Sequence, residues 1–294
     1  TLVAIAPVAL FFLASTFVGA MFARSFKELS LVTVTVSVVG TTYSFVPAVF
    51  TEVHPIAAIS PLSVVVRDIT GAGVDPGTLL FSTVPMTVVA CVLFGLGAGV
   101  YREEDLFTQR APPAKALDAL AAHLSVRRVP VWSALSIPFV LVAELLALAV
   151  LFVFPLDLSL PLLVVVIAVV EEFAKSLHVY AGFERARFPR TTRTALVVGV
   201  LSGLGFALGE KLLVVVQVVG LPSLDLGRVA FAPAAAGDPL TLVVLLAAPF
   251  LLHTVTATLS ALGARRSRGW YLVGVWAAVL LHAAYNLTVV TALV

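Results

Sequence analysis

Glu171, Glu172 and Lys175 lie in the middle of LPLLVVVIAVVEEFAKSLHVYAGF, an apolar stretch long enough to cross a bilayer. A charge at bilayer depth costs about 2.5–3.5 kcal/mol on insertion scales, so a chain that keeps three so close together has a use for them. Glu171 and Lys175 are four apart and share one helix face, while Glu172 stands about 100° around from Glu171. One carboxylate can therefore face a polar cavity while the other orients it or pairs with Lys175. Three further apolar segments carry polar groups: Glu210, His253, and the pair His282 and Asn286, again four apart. Counted from the expected outer helix ends, Glu171, Glu210, His253 and His282 all lie about 14–20 Å deep. Four helices thus place a carboxylate or an imidazole in one layer.

The chemistry open to this set is hydrolysis. A carboxylate at this depth can take a proton from water. His253, His282 and Glu210 can hold a Zn²⁺ with one position left for water. Alternatively, the histidines and Asn286 can donate hydrogen bonds to the oxyanion of an amide tetrahedral intermediate. No Ser or Cys is placed with a His for covalent catalysis, and no His-Glu-x-x-His occurs. The expected catalytic residues are Glu171, Glu172, Lys175 and Asn286, and the expected metal ligands are Glu210, His253 and His282.

These residues need helices to hold them. The chain is 61% hydrophobic and 12% charged, with a mean hydropathy of +1.11, against about 45–50% and 25% in soluble domains. Recurrent apolar runs make it an all-α, polytopic membrane protein. Eight spans are expected, at about 1–23, 29–50, 78–101, 131–154, 160–183, 194–219, 240–262 and 270–293. The first lacks a basic leader and a cleavage site, so it reads as a spanning helix, clipped at its start, and not as a signal peptide. Residues 61–69 are too short to span. After Pro113, Leu117, Leu120 and Leu124 recur at helical spacing and predict a short helix, either amphipathic on the inner leaflet or a solvated linker.

Of the 18 Lys and Arg residues, all but Arg67, Arg228, Lys175 and Lys211 fall in loops on one side. This bias predicts a multi-pass protein of the plasma membrane with both termini outside the cytoplasm. A net charge of +2 gives no sign of nucleic-acid binding. The buried polar groups concentrate in the carboxyl-terminal half. Two regions are therefore expected: residues 1–130, with three spans and the cytoplasmic loop, and residues 131–294, with the chemical constellation.

The motifs carry a resemblance. EEFAK at 171–175, FALGE at 206–210, His253 in LLHTV and HAAYN at 282–286 stand one per successive helix. That series resembles the PrsW family of intramembrane proteases, and the wider superfamily of CAAX prenyl proteases and the APH-1 subunit of γ-secretase, over about residues 155–294. CAAX proteases carry an Arg one position later in the first motif and a His ending the second. Lys175 and Glu210 here resemble the PrsW pattern instead. The resemblance implies peptide-bond hydrolysis in membrane-anchored substrates such as anti-sigma factors. It implies Glu171 or Glu172 as base, with His253, His282 and Glu210 as metal ligands or water-positioning groups. Zinc-dependent and metal-free glutamate mechanisms are both open.

The stretch YREEDLFTQRAPP at 101–113 resembles a cytoplasmic segment of archaeal ABC-2-type permease subunits, which implies a permease-like amino-terminal region. No Gly-rich phosphate loop accompanies it. Two other function classes compete. A silent APH-1-like scaffold would not need the intact Glu-Glu pair. A transporter subunit would use the charges as an ion path, but no interrupted helix pair or inverted repeat supports one.

Overall fold

The computed structural model describes residues 2–49, 55–101, 110–151, 154–220 and 239–293. Among these, every regular element is helical. The α-helices are α1 (Leu2–Phe22), α2 (Phe26–Val49), α3 (Pro61–Ile69), α4 (Pro76–Val100), α5 (Pro112–Ala122) and α6 (Val129–Leu135). They continue with α7 (Ile137–Leu151), α8 (Leu156–Glu184), α9 (Thr192–Gly220), α10 (Pro239–Ala264) and α11 (Arg268–Leu293). Seven helices among the described residues are long and apolar enough to cross a membrane. The expected span at 160–183 lies on α8, whose 29 residues reach about 43 Å. Its apolar run is interrupted by Glu171, Glu172 and Lys175. The fold is that of an all-α polytopic membrane protein. The permease-like residues 102–109 and Arg228 lie outside the described residues.

The expected single helix at 131–154 is divided into α6 and α7. Pro138 has no N–H, so the ladder cannot continue through it. The chain turns at Ser136, whose N–H donates to Trp132 O and Ser133 O at 3.2 Å, while its hydroxyl donates to Ser133 O at 2.6 Å.

The chain folds as two compact units: Thr1–Ala122 with Leu212–Ala230, and His123–Lys211 with Phe231–Val294. In the first, α1 packs along α4 and α2. The short α3 packs within this unit. Its start is buried, with Ser60 as N-cap and Pro61 in the first turn, against α1, α2 and α4. Ser60 Oγ donates to Ser44 O at 2.5 Å and Ser63 Oγ to Ala57 O at 2.6 Å, so backbone carbonyls in this bend have donors. The helix expected after Pro113 exists as α5, but it buries Lys115 and Ala119 rather than Leu117 and Leu120. Lys115 Nζ donates to Met21 O at 3.0 Å. It thereby serves a carbonyl in the last turn of α1, which the helix leaves without a partner.

The second unit includes α9 as far as Lys211. Its sequence carries Gly-x-x-x-Gly twice, at 199–203 and 205–209. Four residues return to nearly the same face, and the two-residue offset turns the second pair about 200° around the helix. The two glycine faces therefore meet different neighbours. A Cβ on Gly199 would sit 2.6 Å from Thr258 Cα, and one on Gly203 would overlap the backbone of His253 and Thr254 in α10. On the other face, a Cβ on Gly205 would overlap the backbone of Pro130, and one on Gly209 would lie 2.9 Å from Ala134 Cα in α6. Backbone-to-backbone approach of this kind needs small residues. It brings α9 against the helix that carries His253. Helices α10 and α11 form a tight antiparallel pair, and α8 packs on both.

Gly203 is the sharpest test of this geometry, because only backbone atoms stand where a methyl would go. Gly203→Ala is expected to lower the thermal stability of the detergent-solubilised protein by about 1–3 kcal/mol. Gly95→Ala, where nothing lies within 4 Å of the added carbon, is expected to be neutral or slightly stabilising.

Candidate active site

The second unit brings the layer of polar residues together. Glu171, Glu172 and Lys175 come from α8, Glu210 from α9, His253 from α10 and His282 from α11. Glu172, Lys175, His253 and His282 are buried. Lys175 Nζ lies 2.8 Å from Glu172 Oε1 and 2.6 Å from His253 Nδ1. His253 Nε2 lies 2.8 Å from Glu210 Oε2, and His282 Nδ1 lies 2.8 Å from Glu172 Oε1.

The partners fix the tautomers. An ammonium only donates, so His253 Nδ1 accepts from Lys175, and Nε2–H donates to Glu210. A carboxylate only accepts, so His282 Nδ1–H donates to Glu172 and its Nε2 keeps a lone pair. That lone pair lies 3.7 Å from Glu171 Oε2, and His253 Nδ1 lies 3.9 Å from the same oxygen. Glu171 Oε2 is buried and has no hydrogen-bond partner among the described residues. One donor atom from each of Glu171, His253 and His282 can be chosen with all three within 4.8 Å of one another.

Phe206 packs its ring against His253, with centroids 5.0 Å apart, and lies 4.7 Å beneath Lys175 Nζ. Phe206 and Glu210 are four apart on α9, so one face of that helix contacts both the ring and Nε2 of His253. Hydroxyl groups fasten the backbone behind the site. Ser202 Oγ donates to Lys175 O at 2.5 Å and lies 2.8 Å from Ser133 Oγ. Ser176 Oγ donates to Glu172 O at 2.6 Å and lies 3.0 Å from Tyr271 Oη. Tyr271 stacks on Tyr180 with ring centroids 4.4 Å apart.

Of the residues singled out from sequence, Glu171, Glu172, Lys175, Glu210, His253 and His282 meet in this cluster. Glu210 reaches it through His253, and its Oε1 lies 3.6 Å from Lys211 Nζ. Asn286 stands one turn beyond His282 on α11, half-buried, with no hydrogen-bond partner among the described residues. Glu144, on α7, lies within electrostatic reach of Glu210 and Glu171. His178 is buried but takes no part in the donor group. Tyr271 was missed by sequence reasoning. It precedes His282 by eleven residues, three helical turns, so it shares that face.

The family model described as PrsW family intramembrane metalloprotease matches residues 125–294. The chain belongs to the PrsW family. No curated protein and no solved structure matches it. The PrsW match takes in all of α6 to α11 and every residue of the cluster. A metalloprotease family implies a metal ion, and the donor set here fits one. Two imidazole nitrogens and a carboxylate oxygen lie within 4.8 Å of one another. Lys175 serves His253 Nδ1, but Glu171 Oε2 has no donor among the described residues, and a buried acceptor left so is satisfied only by a cation or a proton. Glu and His are also the ligand types of catalytic zinc sites. The two distances from Glu171 Oε2, 3.7 and 3.9 Å, are within about half an ångström of that between ligands about 2.1 Å from a shared ion.

Glu172 Oε1 serves both Lys175 and His282, and this makes a testable stability claim. Glu172→Leu would leave a buried ammonium and a buried N–H with one acceptor fewer each. It is expected to destabilise the protein by about 3–5 kcal/mol, measured by thermal unfolding in detergent. Adding Lys175→Met to that variant is expected to recover part of the loss, because the unpaired ammonium is gone.

Proposed function

We propose that this protein is a metal-dependent intramembrane peptidase that hydrolyses peptide bonds of membrane-anchored protein substrates. The observation that carries the reading is the convergence of three acceptors, Glu171 Oε2, His253 Nδ1 and His282 Nε2, on one buried gap. Oxyanion stabilisation by the histidines themselves is disfavoured, because each ring's N–H is already given to a carboxylate away from the gap. In this reading Glu171, His253 and His282 hold the ion, with zinc the expected metal. A dication held there would supply Lewis-acid polarisation and activate water.

The chain's own residues do the rest. Glu172 and Glu210 orient the two imidazoles and keep their tautomers, as outer carboxylates do for ligating histidines. Glu210 is therefore an orienting partner of His253 in this reading, in place of the ligand role expected from sequence. Glu171 holds the ion through Oε2, and its other oxygen, Oε1, accepts the proton that water loses. Asn286, on the face of His282 and without a partner among the described residues, donates its amide to the substrate carbonyl oxygen. Residues 131–294 form the peptidase region, and residues 1–130 a permease-like region beside it in the sequence. The location in this reading is the plasma membrane, and the basic loops support an orientation with both termini extracytoplasmic.

The test is cleavage of a membrane-anchored protein by the purified full chain, alongside Glu171→Gln and Glu210→Gln, with metal content measured in each. Glu171→Gln is expected to lose both metal and cleavage. Glu210→Gln is expected to keep the site but weaken metal affinity or activity by about 10–100-fold. A strong zinc chelator is expected to stop the wild type. Cleavage that survives chelation but not Glu171→Gln would replace the metal with a glutamate-activated water. Normal cleavage by Glu171→Gln would end both mechanisms.

A further inference from the structure

His253 Nδ1 is claimed twice. It accepts a hydrogen bond from Lys175 Nζ at 2.6 Å, and it is one of the three acceptors around the gap. A ring nitrogen has one in-plane lone pair, so it cannot serve an ammonium and a metal ion together. The other nitrogen offers no escape, because Nε2–H is held by Glu210 Oε2 at 2.8 Å. Turning the ring over would exchange the two atoms and keep the conflict. Lys175 has a second, independent anchor in Glu172 Oε1 at 2.8 Å, and the Phe206 ring lies under its ammonium. It can give up one hydrogen bond and stay paired.

We propose that Lys175 is a built-in occupant of the metal centre, a positioning residue whose ammonium fills the His253 lone pair until an ion displaces it. This rests on the reading of Glu171, His253 and His282 as the ligands. The device solves a folding problem. A site made only of acceptors would bury three unsatisfied lone pairs in an apolar interior before any ion arrived. Lys175 satisfies one of them and brings a positive charge beside Glu171 and Glu172. When the ion binds, the His253 nitrogen changes partner and Lys175 keeps Glu172. The consequence is that loading is weaker than the donor set alone would give, because the ion must break the lysine bond first.

Charge and lone pair have to be separated in the test. Lys175→Met removes the competing donor but also a positive charge, and any lost positive charge draws a cation closer. The Glu172→Gln/Lys175→Met double variant removes one charge of each sign, so its net charge equals that of the wild type. The introduced side-chain amide can still accept from His282 Nδ1–H through its oxygen. The full chain is purified in detergent, stripped of metal and titrated with Co²⁺ against a chelating dye. The Co²⁺ visible spectrum reports the ligand set, and Glu171→Gln serves as the ligand control.

Because Glu172 also orients His282, the reference is Glu172→Gln/Lys211→Met, which has the same net charge and the same amide but keeps the Lys175–His253 bond. Glu172→Gln/Lys175→Met is expected to bind Co²⁺ about tenfold more tightly than this reference, with an unchanged spectrum. Equal affinity of the two would overturn the role of Lys175 and leave the ligand assignment standing. Failure of both to bind, or wild-type binding by Glu171→Gln, would instead overturn the ligand assignment and the inference with it. Thermal unfolding of each stripped variant shows that the site compared is a folded one.

Discussion

The constraint on which this site depends is that an apolar interior provides no water to serve a stray donor or acceptor. Each imidazole must therefore place both of its nitrogens. His282 gives its N–H to Glu172 and His253 gives its N–H to Glu210, each at 2.8 Å. Those two bonds decide that lone pairs, not protons, face Glu171. An outer carboxylate behind each ligating histidine raises its basicity and fixes its orientation. The same two bonds join four helices in two pairs, α8 with α11 and α9 with α10, and the Lys175–His253 bond joins the pairs. Fold and chemistry share these hydrogen bonds, so a change that frees either imidazole disturbs both.

The helix packing can be understood as what those bonds require. Rotating α9 by one residue turns a side chain about 100°, which would carry Glu210 away from His253. The glycines at 199 and 203 hold that rotation by allowing the backbone of α9 against α10. The glycines at 205 and 209 hold it from the opposite side, against α6. The buried serines act in the same sense. Ser202 on Lys175 O ties α9 to the backbone of α8 within one turn of the ion pair, and Ser176 of α8 reaches Tyr271 Oη of α11 at 3.0 Å. Hydrogen bonds between membrane helices contribute only about 0.6 kcal/mol each on average. Their value here lies in register more than in stability.

Much of this was legible in the sequence, for reasons that can be named. Spans of about 20 apolar residues leave few alternatives to a helix, so the expected segments fall on helices, with only the one at 131–154 divided. Equal depth of Glu171, Glu210, His253 and His282 follows from a fixed rise per residue. The proposed division of labour between Glu171 and Glu210 was not legible. It depends on which nitrogen of His253 carries the proton, and that is set by Lys175 and by ring orientation, which spacing alone does not encode. Pro138 did announce the break at Ser136, but an apolar run across it masked the signal. The role of Lys115 was not legible either, because the carbonyl it serves at the end of α1 is 94 residues away in sequence.

The depth of the site sets a condition on its substrate. A peptide that spans the membrane as a helix has every carbonyl hydrogen-bonded within itself, since nothing in the lipid could replace those bonds. Such a bond is closed to attack at the layer of Glu171. To react there, the substrate must unwind by about one turn, and the donors it loses must be found in the enzyme. Asn286 is a side-chain amide without a partner among the described residues, one turn beyond His282 on the same face. In the proposed reaction its N–H replaces the helical N–H that the opened substrate carbonyl has lost. Sites where helices fray easily, near Gly or Pro or close to the membrane surface, are then the ones that cost least to open. The enzyme selects on this view for a local weakness in the substrate helix, as well as for side chains that fit beside the site.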